Sequence, residues 1–287
     1  MRLGAHCVLY GPQIKTDTEG VLGKLFFAGA EGCELGERFF GLDERDRLAD
    51  ALRAKGLRLA GLHCNNLRLP DLLCAPDKAR EALRKTAAFV SAFEDKNVIA
   101  SGAPGGGPDG MKDRAIRDGA PDPALHNPSN AVRIAENLNA IAREILEDYG
   151  VTVHYHNHSW EFADGGLLWS TLAERAPAVC FALDTGWAAV SGYDPVSLLE
   201  KYPGRFRYVH LRDYHRAADP GSLRFSAVHE GFADLGSGDM GYPRLMRALD
   251  RALGRDGWAV VEYETGNFDG NSYLRAISYL KGVRDML

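Results

Sequence analysis

The sequence predicts an α/β protein: a single (β/α)8 barrel, residues 1–287, around a parallel eight-stranded core. Three observations predict it. Strand-like and helical segments alternate eight times along the chain. Strands such as AVCFALD (178–184) are almost continuously apolar, as in a parallel sheet buried on both faces. No linker-like change of composition divides the chain, and about 250 residues commonly form one such barrel. An open doubly wound sheet would ordinarily carry a Gly-rich turn after its first strand, where this chain has GPQIKT.

The elements follow in order. Residues 2–10 read as a first strand, bounded by Gly11-Pro12, and 16–28 as a helix with Val21, Leu22, Leu25 and Phe26 on its stripe. A second strand, 32–35, contains Glu34. The helix over 43–54 takes Asp43 as its N-cap and stops at Gly56. The third strand, 57–63, ends at His63. A helix over 77–93 precedes the fourth strand, 96–101, and a loop rich in Gly and Pro, 102–122. The longest helix covers 128–149. Residues 151–162, VTVHYHNHSWEF, open as the fifth strand and end in polar side chains; alternation would put His154, His156 and His158 on one face. A helix over 166–175 leads to the sixth strand, 178–184. Asp194-Pro195 opens the next helix, with proline at its first position. The seventh strand is 206–211, followed by an irregular excursion, 214–241. A helix over 242–253, the eighth strand 258–262 and a helix over 272–287 complete the chain.

Composition excludes several function classes. The chain is 45% hydrophobic and 25% charged, ordinary for a globular protein. A net charge of −5 gives no electrostatic footprint for nucleic acid or an anionic membrane surface. No apolar run is long enough to span a bilayer, and the start of the chain does not resemble a signal peptide. Five scattered cysteines without CxxC spacing read as reduced thiols of a cytoplasmic protein, with Cys64 and Cys74 nearer the surface. The exposed helices of such barrels often pair, so a homo-oligomer is compatible with the pattern.

Function is expected at one rim, because barrels of this kind build their sites from the carboxyl ends of the strands. Glu34, His63, His156 with Glu161 just beyond, Asp184, His210 and Glu262 each end an apolar run. Two glutamates, an aspartate and a histidine form an oxygen-rich set suited to one divalent ion. Mn2+, Mg2+ or Co2+ fits best, and Zn2+ is also compatible. Without a cation, so many clustered carboxylates would repel one another and lose hydration.

The pieces YHNHSWEF (155–162), ALDTGW (182–187), GYDP (192–195), RYVHLRD (207–213), GSGDMGYP (236–243) and VVEYE (260–264) stand in an order that resembles the xylose-isomerase-like barrel superfamily. The likeness is to its sugar phosphate isomerase/epimerase branch; CEL (33–35) and GLHCN (61–65) match more loosely. The resemblance implies a metal held by Asp184, His210 and Glu262, with either Glu161 or His156 as fourth ligand. Glu161 is the expected ligand, which leaves His156 as an acid/base group beside the base Glu262. Glu34, His63, His158, Trp187, Arg212 and Arg216 are the expected contacts to a sugar or cyclitol substrate, although an Arg212–Asp213 ion pair fixing the loop is an equal reading. Isomerisation or epimerisation through an enediolate is the expected reaction. Dehydration or lyase chemistry on keto-sugars or inososes is the alternative, and a sugar-binding barrel without turnover is less favoured. The superfamily's DNA-repair endonucleases use additional histidines, whereas in this chain the fourth strand ends in SGAP (101–104) without a histidine and Trp187 follows the sixth.

Overall fold

The computed structural model describes residues 1–104, 124–125, 127–215, 231–264, 268–269 and 271–286. Its strands are β1 Arg2–His6, β2 Gly32–Gly36, β3 Arg58–Cys64, β4 Asn97–Ser101, β5 Thr152–His156, β6 Cys180–Asp184, β7 Phe206–Leu211, β8 Asp213–Tyr214, β9 Phe232–Ala233 and β10 Trp258–Val261. Eight of them close into a barrel in the order β1-β10-β7-β6-β5-β4-β3-β2. Every neighbour pair whose register is resolved in this barrel is parallel. The short strands β8 and β9 form a separate antiparallel ribbon.

Alternation along the strands sorts side chains into two environments. Ile99, Ala182, Tyr208, Trp258 and Val260 pack together as an inner cluster. Their neighbours Val98, Ala100, Leu183, Val209, Ala259 and Val261 join the larger core beneath the helices. The inner space is tight: a Cβ at Gly32 would stand 2.6 Å from the Trp258 ring and from the Arg58 carbonyl. Glycine is therefore required there by close approach.

The helices Pro128–Tyr149 and Pro195–Lys201 begin where the sequence predicts. Asn127 accepts from the Ser129 and Asn130 N–H groups, Asp194 accepts from Val196 N–H, and Gly150 closes the longer helix at φ 63°. Several expectations are corrected. Asp43 does not cap a helix, because it lies in the 3-10 turn Leu42–Glu44; the helix starts at Arg45, and Glu44 accepts from Gly41 N–H. The segment 16–28 divides at Asp17, whose carboxylate caps Thr18–Ala28 by accepting from Gly20 N–H. The first strand ends at His6, since His6 Nδ1 accepts from Val8 N–H and turns Cys7–Tyr10 into a 3-10 helix. Short helices Leu69–Cys74 and Thr185–Val190 were not anticipated. Cys64 is fully buried on β3 rather than near the surface, while Cys74 is exposed as expected; all five cysteines are free thiols. No described helix is long and apolar enough to cross a membrane.

Candidate metal centre

The strand ends build a ring of polar side chains. Each barrel strand supplies one member: His6, Glu34, His63, Ser101, His156, Asp184 and His210 from β1 to β7, and Glu262 one residue beyond β10. Register aligns them in pairs: His6 lies opposite Glu34, Ser101 opposite His156, and Asp184 opposite His210. Glu262 prolongs its ladder by donating its N–H to the Leu211 carbonyl at 3.1 Å. Seven members are buried, and Ser101 is partly exposed.

Four of these converge on one point. The ligand atoms of His156, Asp184, His210 and Glu262 all lie within 4.8 Å of one another. His210 Nδ1 stands 2.7 Å from His156 Nδ1 and 2.8 Å from Glu262 Oε2. Two imidazole nitrogens facing each other beside carboxylates form a donor set that suits a divalent cation. On its far side His210 Nε2 lies 2.5 Å from Glu34 Oε2. That bond leaves Nδ1 to the converging group, the usual arrangement of a carboxylate behind a metal-binding histidine.

The carboxylates are held from behind. Arg212 donates through Nε to Asp184 Oδ2 at 2.8 Å, and its Nη2 lies 2.9 Å from Glu262 Oε1 and 3.2 Å from Glu264 Oε1. Asp184 Oδ1 accepts from Trp187 N–H at 2.8 Å, which caps the helix Thr185–Val190. The Asn157 amide brackets the Asp184 backbone with two hydrogen bonds.

Electrostatics differ from one member to the next. Burial pushes Asp184 up to about 6, with Arg212 pulling the other way. Burial would also raise Glu262, but Arg212 and His210 hold it well below the usual carboxylate range. For His210 burial opposes charge, yet Glu34 and Glu262 draw it up to about 10. A cation in the group would compete with that proton. His156 is held well below the ordinary histidine range by burial and by His210.

Asp184, His210 and Glu262 thus meet as the resemblance implied, and His156 is the fourth member of the group. Glu161 is not brought to this point. Its Oε1 accepts from the Tyr155 hydroxyl at 2.8 Å and its Oε2 from His158 N–H at 2.7 Å. Tyr155 belongs to the core beneath the helices, so strand alternation pins Glu161 on that side while His156 points inward. Burial pushes Glu161 up to about 7.

The expected substrate contacts fall into several environments. Glu34 and His63 belong to the ring, but Glu34 is fully buried among hydrogen-bond donors. His158 stacks on Trp160 at 4.1 Å between ring centroids and lies 5.6 Å from Trp187. Trp187 packs with Val190 and Phe232. Arg212 commits its guanidinium to Asp184, Glu262 and Glu264 rather than to Asp213. Asp213 instead accepts from the backbone N–H groups of Gly236, Gly238 and Met240, clamping that loop. Arg216 and most of the Gly-rich loop after β4 lie outside the described residues.

Sequence reasoning missed His6 and Ser101. Both obey the rule that found the others, a polar residue closing an apolar run. Extending the first strand to Tyr10 hid His6, whereas Ser101 stood at the expected end of the fourth strand and was passed over because a lone serine is neither a ligand nor an acid or base by type.

The family model for the xylose isomerase-like TIM barrel matches residues 27–283. An inosose dehydratase of Geobacillus thermodenitrificans is 25% identical over 278 residues, covering 93% of this chain and 89% of the relative. One from Lacticaseibacillus casei is 26% identical over 286 residues, covering 93% and 90%. Among solved structures, a sugar phosphate isomerase/epimerase from Parabacteroides distasonis superposes with a TM-score of 0.69 at 20% identity, covering 98% of this chain and 93% of that one. With eight parallel strands closed into a barrel and a family match along nearly its whole length, the chain belongs to the xylose isomerase-like TIM-barrel family.

Proposed function

We infer that the ring removes a proton next to a carbonyl in a keto-sugar or inosose and that the reaction ends in loss of water. The observation that carries this is the convergence of His156, Asp184, His210 and Glu262. The two inosose dehydratases that match over 93% of this chain favour dehydration over isomerisation or epimerisation.

His156, Asp184, His210 and Glu262 are the residues that would hold the cation. Two nitrogens and two carboxylates are softer donors than the oxygen-rich set expected with Glu161, which moves the preference toward Zn2+ or Co2+ and away from Mg2+. When bound, such an ion polarises a carbonyl and stabilises negative charge developing on adjacent substrate oxygens.

The chain's own residues supply the rest. Glu262 is kept ionised by Arg212 and His210, so it stands in the form that can accept the proton. Arg212 fixes the orientation of both ligand carboxylates through its fork of donors. With His156 in the ligand set, the acid role passes to His158, whose ring is 4.8 Å from His156 and is braced by Trp160. Trp160, Trp187 and Phe232 shield this side of the site from water.

Metal analysis of the purified protein, followed by incubation with a panel of keto-sugars and inososes in D2O, tests the reading. New enone absorbance with loss of water is the expected result. Deuterium next to the carbonyl in an unchanged or epimeric sugar would replace it with the isomerase/epimerase reading. Metal-loaded protein that does neither would overturn both.

A further inference from the structure

The other half of the ring has a different organisation. The ligand atoms of His6, Glu34 and His63 also come within 4.8 Å of one another, yet hydrogen bonding rules out a second cation there. His6 Nδ1 accepts from Val8 N–H at 2.9 Å, so the proton of the neutral ring sits on Nε2, which faces Glu34 Oε1 at 3.0 Å. A nitrogen carrying a proton has no lone pair for a metal.

Glu34 then sets the other tautomers. Its Oε2 accepts from the Tyr208 hydroxyl at 2.7 Å and faces His210 Nε2, while its Oε1 faces His6 Nε2 and, at 2.9 Å, His63 Nδ1. A carboxylate is acceptor-only, so His63 must present Nδ1–H to it. His63 Nε2 is left as an acceptor, and its partner is the Ser101 hydroxyl, in a short contact. With its proton directed at His63, Ser101 Oγ has only lone pairs to offer any further group, and Ser101 is partly exposed. Ser101 lies opposite His156 in the strand register, and the His63 and His156 rings are 5.7 Å apart. The acceptor therefore borders the cation group.

We propose that Ser101 is a further catalytic residue that accepts a hydrogen bond, and then the proton, from a hydroxyl of the bound keto-polyol. His63 and Glu34 are its positioning residues. The proton leaves the substrate oxygen for Ser101 Oγ as the Ser101 proton moves to His63 Nε2. The products are a substrate alkoxide and a His63 imidazolium facing the Glu34 carboxylate, with no proton or charge lost. Serine, histidine and carboxylate are arranged as in a hydrolase triad, but here the serine serves as a proton relay. This rests on the keto-polyol reading of the site.

Two measurements separate failure of the relay from failure of that reading. In 15N-histidine NMR of the purified protein, with His63→Gln identifying the signal, His63 should carry its proton on Nδ1 and none on Nε2. A proton on Nε2 overturns the relay whatever the substrate. In kinetics with a turned-over inosose and its monodeoxy analogues, Ser101→Ala should lose about 100-fold in kcat/KM. Ser101→Thr should recover most of that loss, and the loss should vanish for the one analogue lacking the contacted hydroxyl. An equal loss across all analogues, or none on the parent substrate, overturns the assignment.

Discussion

The two halves of the ring use the same residue types for opposite ends. From β5 to β10, His156, Asp184, His210 and Glu262 point donor atoms at a common centre, and their backs are held by Arg212, Asn157 and Glu34. From β1 to β4, His6, Glu34, His63 and Ser101 point at one another, so each donor already has an acceptor. The same imidazole–carboxylate vocabulary thus yields a group that could hold a metal ion where lone pairs converge and the proposed proton path where they are consumed. Glu34 joins the halves, because its two oxygens serve His63 on one side and His210 on the other.

The contrast can be broken most severely on the converging side. Asp184→Asn, or stripping the cation with a chelator, should lower kcat/KM by at least about 1000-fold, read by steady-state kinetics with metal add-back. Asn at 184 also leaves the buried Arg212 less compensated, so a thermal midpoint lowered by the equivalent of about 3 kcal/mol is expected. Unchanged activity after complete metal removal would end the distinction between the halves.

Glu34→Gln attacks the shared member. It should weaken cation affinity by about 10- to 100-fold in competition with a chromogenic chelator, because His210 loses the acceptor that orients it. Affinity equal to the wild type would mean that the halves act independently.

His156→Glu sharpens the comparison without dismantling it. Exchanging a nitrogen for oxygen donors should retain binding while reversing the order of preference, with Mn2+ gaining on Zn2+ in calorimetric titrations. Preserved order would place His156 outside the ligand set.

Glu161→Gln is the smallest test, since Glu161 lies on the outer side of the sheet. Cation affinity should change less than about twofold, but the pH dependence of stability should change. Burial raises the folded carboxyl from 4.5 to about 7, so its contribution is complete below 4.5 and is lost as pH rises toward about 7. The wild type should therefore lose on the order of a few kcal/mol across that window, and the Gln variant should not. Parallel pH profiles from chemical denaturation of the two proteins would show that Glu161 is not held as described.

Asp184, His210 and Glu262 were legible because each ends an apolar run in a strand whose neighbours are equally clear. Glu161 was misplaced because its chemistry suits the site while its position depends on alternation: Tyr155, its partner, faces the helices, and His156 faces inward. Arg212 showed a similar gap. Its sequence neighbour Asp213 suggested an ion pair, yet consecutive residues diverge here, one buried against Asp184 and Glu262 and the other turned to the loop at 236–240.

By itself the sequence determined the barrel and the rim, since apolar periodicity and strand ends are local properties written every few residues. Only the tertiary structure decided which rim residues face one another and which nitrogen of His6 accepts a backbone N–H. Those choices depend on partners such as Val8, Glu34 and Ser101, brought together by strand closure. Donor and acceptor roles are settled by contact, and no run of neighbouring residues encodes contact across a closed sheet.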